Sequence, residues 1–189
     1  MMLTIDVNGT KQDIVVAVQK SGFSWALNRD NGKLSWVTAA GPGGFGGGGT
    51  WGAATDEKNV YTNIVNSDNK NFTLKPSNKN ITTGGWVAME VGNGKILWSI
   101  ANPTNATTNG PVTVANGIIF VGSTDIEGFI YAINGNTGDI VWSYKTGSTV
   151  FGGMSVSDGC IYLGNGYKIG FGLLTGNYTA GTSLYAFCV

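Results

Sequence analysis

The sequence predicts an all-β fold that is assembled from repeated four-stranded units. An eleven-residue pattern, A-[LMI]-[NE]-x-x-[NT]-G-[KD]-[LI]-x-W, occurs three times and begins a fourth time. Glycine is abundant, with 31 residues, while only 12% of the residues are charged, which is typical of short strands joined by turns. No stretch places apolar residues at helical spacing for three turns. The copies lie at residues 26–36, 88–98, 132–142 and, in part, 184–189.

Each copy predicts a β-hairpin whose second strand ends in a buried tryptophan. Aromatic and branched residues precede the alanine and fit a pleated strand. An Asn-Gly or Thr-Gly pair follows and tolerates the positive φ that a tight turn requires. Two apolar side chains then stand on one face of the returning strand, the second being Trp36, Trp98 or Trp142. Because one such unit cannot bury both of its faces, we expect these tryptophans to be wedged between neighbouring units.

Two more strands are expected ahead of each hairpin, so that every unit has four. Residues 14–18 form the clearest of these runs, and residues 111–114 and 118–121 flank a turn at Asn116-Gly117. Four-stranded units at this spacing are typical of the blades of a β-propeller. A β-sandwich with coincidental internal similarity is the alternative. We therefore predict a single domain over residues 1–189, with about four blades at approximately 1–39, 50–101, 110–146 and 152–189.

Composition excludes several classes of partner. Eleven basic and eleven acidic residues give no net charge, so the broad charged surface that binds nucleic acid is missing. No run of eighteen apolar residues is present, and no membrane span is expected. Histidine is absent, which removes the commonest general base and the commonest metal ligand. The sequence therefore predicts a protein that binds neither nucleic acid nor a membrane.

Five glycosylation sequons indicate an extracellular protein. The start of the chain lacks the basic and long apolar regions of a signal peptide. We therefore expect the chain to be a piece of a longer secreted protein whose leader lies upstream. Any single sequon can also arise by chance in an asparagine-rich sequence. The acceptor residues are Asn8, Asn71, Asn80, Asn105 and Asn177.

The two cysteines are predicted to face each other across neighbouring strands. Aligning the third and fourth units places Cys160 at the start of one strand and Cys188 near the end of its antiparallel neighbour. In a secreted protein this arrangement favours a disulfide. Two small buried apolar side chains are the alternative.

The repeated pattern resembles the tryptophan-docking motif of eight-bladed quinoprotein dehydrogenase propellers. Residues 41–44 with 48–56, and residues 159–166 with 183–188, are similar to plant proteins called polyvinyl-alcohol-dehydrogenase-like. The similarity covers essentially the whole chain and corresponds to the C-terminal portion of those longer proteins. It implies that this chain forms half of an eight-bladed ring. An open edge on the first and last blades would then pair with the missing half or with a second copy.

The resemblance also implies pyrroloquinoline quinone (PQQ), with calcium, as cofactor and an alcohol as substrate. Trp51 would stack on the planar cofactor, and Asp56 would be the catalytic base. Gly48, Gly49 and Gly52 would let backbone amides reach the cofactor carboxylates. In the alternative reading, Trp51 packs against a blade and Asp56 caps a turn. No carboxylate-rich calcium loop is present, so no metal ligand is assigned.

Two functions follow from these expectations. The first is a PQQ-dependent alcohol or polyvinyl alcohol dehydrogenase-like propeller that oxidises alcohols or polyols outside the cell. The second is a non-catalytic secreted propeller that binds a ligand, a glycan or a protein partner. The resemblance favours the first, whereas the missing half and the scarcity of carboxylates favour the second.

Overall fold

The computed structural model describes residues 1–7, 9–168 and 178–189, and within them every regular element is a β-strand. The all-β prediction is therefore confirmed for the described chain. The strands are β1 (Met2–Val7), β2 (Thr10–Val18), β3 (Phe23–Asn28), β4 (Leu34–Ala39), β5 (Ala54–Thr55), β6 (Asn59–Ile64), β7 (Phe72–Thr73), β8 (Asn80–Ile81), β9 (Gly85–Glu90), β10 (Ile96–Ala101), β11 (Thr113–Ala115), β12 (Ile118–Gly122), β13 (Phe129–Asn134), β14 (Ile140–Lys145), β15 (Ser155–Ser157), β16 (Cys160–Gly164) and β17 (Leu184–Cys188).

Fifteen of these strands form four antiparallel sheets that follow one another along the chain. Sheet 1 has the order β1-β2-β3-β4, sheet 2 the order β5-β6-β9-β10, and sheet 3 the order β11-β12-β13-β14. Sheet 4 has three strands in the described chain, β15-β16-β17. The segment at residues 66–83 carries a small hairpin of β7 and β8. Its Leu74 is buried, which ties the insertion to the protein surface.

The two ends of each sheet carry different kinds of connection between strands. Tight turns such as those at residues 28–34, 90–96 and 134–140 lie at one end, which we call the turn end. The longer connections at residues 40–53, 102–112 and 146–154 lie at the other, which we call the loop end. The first strands of three sheets gather side by side, because β11 contacts both β5 and β15.

Apolar clusters fill the spaces between successive sheets, and the repeated tryptophans lie in two of them. The indole Nε1 of Trp36 donates to the carbonyl oxygen of Val91 at 2.8 Å, in the turn of the next sheet. A Cβ added at Gly94 of that turn would lie 2.5 Å from Cε3 of Trp36. Glycine is therefore required where the turn rests on the indole ring. The expected wedging of tryptophans between units is confirmed for Trp36 and Trp98.

Sheet 4 carries the predicted disulfide. Cys160 and Cys188 are directly paired in the register of β16 and β17, and their sulfur atoms are bonded. The prediction is confirmed. Trp142 differs from the other repeat tryptophans, since it is 38% exposed and packs edge-on against Phe187 at 5.1 Å.

In the part of the chain that the structure describes, there is no helix that is long and apolar enough to cross a membrane.

Candidate functional site

The loop end carries four aromatic side chains that contact one another, and we call them the loop-end aromatic cluster. The rings of Trp51 and Phe151 meet edge to face, with centroids 6.2 Å apart. Phe151 also stacks on Tyr167 at 4.0 Å, and Tyr178 approaches both of these rings at 6.0 Å and 5.9 Å. The structure therefore places Trp51, the predicted stacking residue, at the edge of a larger aromatic surface.

Trp51 is held in an unusual conformation that displays its ring. Its φ is 64°, a left-handed value that side-chain-bearing residues adopt at a cost of roughly 1–2 kcal/mol. The backbone is fixed on both sides, because Thr50 N donates to Asn63 Oδ1 at 3.1 Å and Val112 N donates to the Gly52 carbonyl at 3.4 Å. The indole is nevertheless 70% exposed. A large exposed aromatic ring on a fixed, left-handed backbone is a feature of ligand-binding surfaces.

Reciprocal hydrogen bonds fix the rest of the cluster. Thr149 N donates to Thr179 Oγ1 at 2.8 Å, and Thr179 N donates to Thr149 Oγ1 at 2.9 Å. Tyr167 N donates to the Thr179 carbonyl at 2.9 Å. These bonds hold the backbone next to Phe151, Tyr167 and Tyr178, so the three rings are preorganised. Sequence reasoning missed all three, since none of them lies in the repeated pattern.

Gly48 and Gly49, predicted to approach a cofactor, lie against other parts of the protein. A Cβ added at Gly48 would clash with the backbone of Gly22, and one at Gly49 would lie 2.9 Å from Cβ of Val18. The absence of side chains here allows the loop to pack on sheet 1. Gly52 differs, because its φ of 145° requires glycine while an added Cβ would only touch Pro111 at 3.2 Å. Their roles in cofactor binding remain predictions.

Asp56 lies in the turn between β5 and β6. Its Oδ1 accepts hydrogen bonds from Lys58 N at 3.0 Å and Asn59 N at 2.7 Å, and its Oδ2 accepts one from the Tyr61 hydroxyl at 2.9 Å. Burial alone raises the pKa of Asp56, but the bonds from the Asn59 amide, the Tyr61 hydroxyl and the Lys58 amide together lower it below its usual value. Burial, and then the neighbouring Asp56, raises the pKa of Tyr61 to about 12. The carboxylate is thus ionised and already engaged in capping the turn.

The structure does not bring Trp51 and Asp56 together. Trp51 precedes β5 at the loop end, whereas Asp56 follows β5 at the turn end. A strand carries the chain about 3.3 Å per residue away from its start, so the two side chains lie at opposite ends of the sheet. The proposal that Asp56 is the base remains a prediction.

The residues present fit PQQ in part. Trp51 offers a flat, exposed ring of the kind that stacks on a planar quinone. Among residues 1–7, 9–168 and 178–189, no group of three or more His, Cys, Asp or Glu side chains is placed to hold a metal ion. The stacking surface is therefore present in this chain, while the expected calcium has no ligand set that we can assign.

Three of the predicted glycosylation sites have accessible side chains. Asn71, Asn80 and Asn105 are all exposed, and all lie in loop-end connections. Asn8 and Asn177 lie outside the described residues. Glycosylation itself remains a prediction.

Comparison with known proteins identifies the family. The profile of the PQQ_2 family, described as outer membrane protein assembly factor BamB, matches residues 83–178, slightly more than half of the chain. The chain therefore belongs to this family.

Two relatives connect the chain to quinoprotein enzymes. It is 28% identical over 183 residues to a polyvinylalcohol dehydrogenase of a Pseudomonas species, covering 83% of this chain and 27% of that protein. It is 37% identical over 81 residues to the quinoprotein alcohol dehydrogenase PedH of Pseudomonas putida, covering 43% of this chain and 13% of that protein. The chain thus spans about a quarter or less of the length of these relatives. The predicted kinship with quinoprotein alcohol dehydrogenases is confirmed, while the narrower likeness to plant proteins remains a prediction.

Solved structures share the fold. The quinohemoprotein alcohol dehydrogenase of Comamonas testosteroni superposes with a TM-score of 0.69 at 19% identity, covering all of this chain and 37% of that one. A europium-containing methanol dehydrogenase gives a TM-score of 0.67 at 15% identity, covering all of this chain and 47% of that one. BamB of Moraxella catarrhalis gives 0.56 at 14% identity, covering 96% of this chain and 44% of that one. At these identities the similarity concerns the fold, which is that of the quinoprotein propellers.

Proposed function

We propose that this chain forms part of a PQQ-dependent alcohol dehydrogenase-like propeller that oxidises alcohols or polyols. The exposed ring of Trp51, fixed at the edge of the loop-end aromatic cluster, is the observation that carries the proposal. The similarity to polyvinylalcohol dehydrogenase supports an alcohol or polyol substrate. Bound PQQ would supply the two-electron acceptor, becoming the quinol as the alcohol becomes a carbonyl compound.

In this proposal Trp51 binds and orients the planar ring. Stacking on an indole suits a flat cofactor, and the hydrogen bonds that flank Trp51 fix the backbone that carries the ring before binding. Gly52 lies next to Trp51, where an added Cβ would meet only the Pro111 side chain, in contrast to Gly48 and Gly49.

Titration of the protein with PQQ, followed by quenching of tryptophan fluorescence, tests the proposal. We expect Trp51→Ala to weaken PQQ binding by about tenfold or more, because a central aromatic contact is removed. Leu184→Ala is the matched control, since Leu184 is similarly exposed, at 79%, and lies on sheet 4. Equal affinity of the wild-type and Trp51→Ala proteins would overturn the role of Trp51.

A non-catalytic propeller that binds a glycan or other ligand is the second candidate. It is favoured by Asp56, whose carboxylate is engaged in a turn, and by Gly48 and Gly49, which pack on the protein. Oxidation of a polyol with PQQ, calcium and an artificial electron acceptor separates the two functions. Turnover supports the first, whereas ligand binding without turnover supports the second.

The four sheets are proposed to be four blades, forming half of an eight-bladed ring. The adjacency of β5, β11 and β15 supports a common axis for sheets 2 to 4. Sheets 1 and 4 are the first and last sheets of the described chain, and we propose that they pair with the missing half or with a second copy. Light scattering would give about twice the 19.7 kDa chain mass for a paired ring. A monodisperse, stable monomer would overturn the pairing.

An extracellular location completes the proposal. It is supported by the disulfide and by the three exposed sequon asparagines. Expression in a eukaryotic secretory system, with and without enzymatic deglycosylation, measures sugar at Asn71, Asn80 and Asn105. Unmodified asparagines at all three positions would contradict it.

A further inference from the structure

We propose that the loop-end aromatic cluster is a subsite for a neutral pyranose chain. The inference rests on the proposed function and deepens it, because it names a class of hydroxylated substrate for the same site. Three features support it, namely the shape of the aromatic surface, its unpaired polar tips and its low charge.

The aromatic surface has the form that a sugar ring requires. Trp51 is 70% exposed, and Phe151, Tyr167 and Tyr178 are each partly exposed beside it. The rings meet at angles of 67°, 15° and 72°, so the surface presents both flat faces and edges. The C–H face of a pyranose is apolar and packs on an aromatic face, while its hydroxyls project from the rim.

The polar tips of the cluster are free to meet those hydroxyls. Within the described chain, the indole N–H of Trp51 and the hydroxyls of Tyr167 and Tyr178 have no hydrogen-bond partner in the protein. A few polar groups around an apolar surface fix the orientation of a bound small molecule. Because the threonine pair Thr149 and Thr179 already holds the backbone, little further ordering is needed on binding.

The charge around the cluster favours a neutral ligand. Lys168 is the single charged residue within two sequence positions of any of the four aromatics. In the adjoining loop, the Asp125 carboxylate accepts bonds from three backbone amides, and Glu127 is paired with Lys145. A polyanionic chain would need several cations to replace its hydration, and the cluster does not supply them.

Calorimetric titration of the quinone-free protein tests the subsite with three probes. These are cellohexaose, which is neutral and has pyranose rings, polyvinyl alcohol, which is neutral and has none, and polygalacturonate, which is anionic. We expect the dissociation constant of cellohexaose to be at least tenfold lower than that of polyvinyl alcohol or polygalacturonate, each expressed per occupied binding site. Equal or tighter binding of polyvinyl alcohol or polygalacturonate would overturn the assigned ligand class, and no binding of cellohexaose would overturn the subsite.

Variants localise the binding. Tyr178→Ala is expected to weaken cellohexaose binding by about tenfold, and Tyr178→Phe, which loses only the hydroxyl, by severalfold. Tyr162→Ala is the matched control, because Tyr162 is a 37% exposed tyrosine on β16 outside the cluster. An equal loss in Tyr162→Ala and Tyr178→Ala would overturn the assignment. Urea unfolding of each variant shows whether it is folded. If Tyr178→Ala does not fold, Tyr178→Phe still tests the subsite.

The PQQ titration separates this inference from the proposed function. A protein that binds PQQ through Trp51 but does not bind cellohexaose overturns the subsite alone. A protein that binds cellohexaose but shows no Trp51-dependent PQQ binding overturns the proposed function and supports a glycan-binding propeller.

Discussion

Trp98 of sheet 2 donates its indole hydrogen to the carbonyl oxygen of Gly135 in sheet 3, across 2.8 Å. Its ring also lies against Gly138 of the same turn, where an added Cβ would stand 2.8 Å from Cδ2 of Trp98. Trp36 makes the equivalent contacts with Val91 and Gly94 one sheet earlier. The sequence repeat is therefore also a repeat of contacts between sheets.

Replacing Trp98 by phenylalanine tests this contact. Trp98→Phe removes a buried hydrogen bond and part of the packing, so we expect the free energy of unfolding to fall by about 2–3 kcal/mol. Urea unfolding followed by circular dichroism measures the change. Trp142→Phe is the control, because Trp142 is 38% exposed, and its cost is expected to stay below about 1 kcal/mol. Equal costs for the two variants would contradict the docking role.

The glycines of the repeated turns provide a second test. Gly32 and Gly138 both have positive φ, at 69° and 79°, but an added Cβ has open space at Gly32 and meets Trp98 at Gly138. Gly32→Ala should therefore cost only the backbone strain, about 1–2 kcal/mol. Gly138→Ala should cost at least about 1 kcal/mol more, because the indole must move. Thermal unfolding of both variants measures the difference, and equal midpoints would show that the turn does not rest on Trp98.

The disulfide is expected to stabilise sheet 4. Cys160 and Cys188 are 28 residues apart in sequence, and closing a loop of this size contributes about 3–4 kcal/mol on the chain-entropy model. The double variant Cys160→Ser/Cys188→Ser should lose this amount in urea unfolding. Reduction of the wild-type protein should lower its free energy of unfolding by a similar amount. Reducing agent should leave the free energy of unfolding of the double variant unchanged. Free thiols in the non-reduced wild-type protein would contradict the bond.

The Asp56 turn should make stability depend on pH. Because the pKa of Asp56 is lowered in the folded protein, its stabilising contribution is complete above the unfolded value of 3.8 and is lost as the pH falls through the folded pKa. Asp56→Asn should therefore destabilise the protein at pH 7, and the difference from wild type should shrink below pH 3.8. Asp158→Asn, at the corresponding turn of sheet 4, is the control, since the Asp158 carboxylate accepts its bond from the Ser157 hydroxyl.

The same variant tests the catalytic prediction for Asp56. If the residue only caps its turn, Asp56→Asn should lower stability while any PQQ-dependent oxidation by the folded protein changes less than about tenfold. A loss of several orders of magnitude in the maximal rate, with the fold intact, would instead identify Asp56 as the base.

Local sequence features predicted the hairpins and the disulfide well. Strand composition and the Asn-Gly and Thr-Gly turns act over a few residues, and β3–β4, β9–β10 and β13–β14 pair as the pattern predicts. The pairing of Cys160 with Cys188 followed from aligning one repeat with another. The hairpin of β7 and β8 was not predicted, because these strands are two residues each and lack a clear alternating pattern.

The sequence by itself determined the repeated all-β architecture, the turn glycines and the tryptophans that join the sheets, because these depend on local propensity and on a pattern that recurs. Only the tertiary structure decided which side chains share a site. It separated Trp51 from Asp56 by placing them at opposite ends of β5, although they are close in sequence. It joined Trp51 to Phe151, Tyr167 and Tyr178, which are distant in sequence. Those contacts arise between loops that are far apart in sequence, and loops carry no periodicity from which their meeting could be predicted.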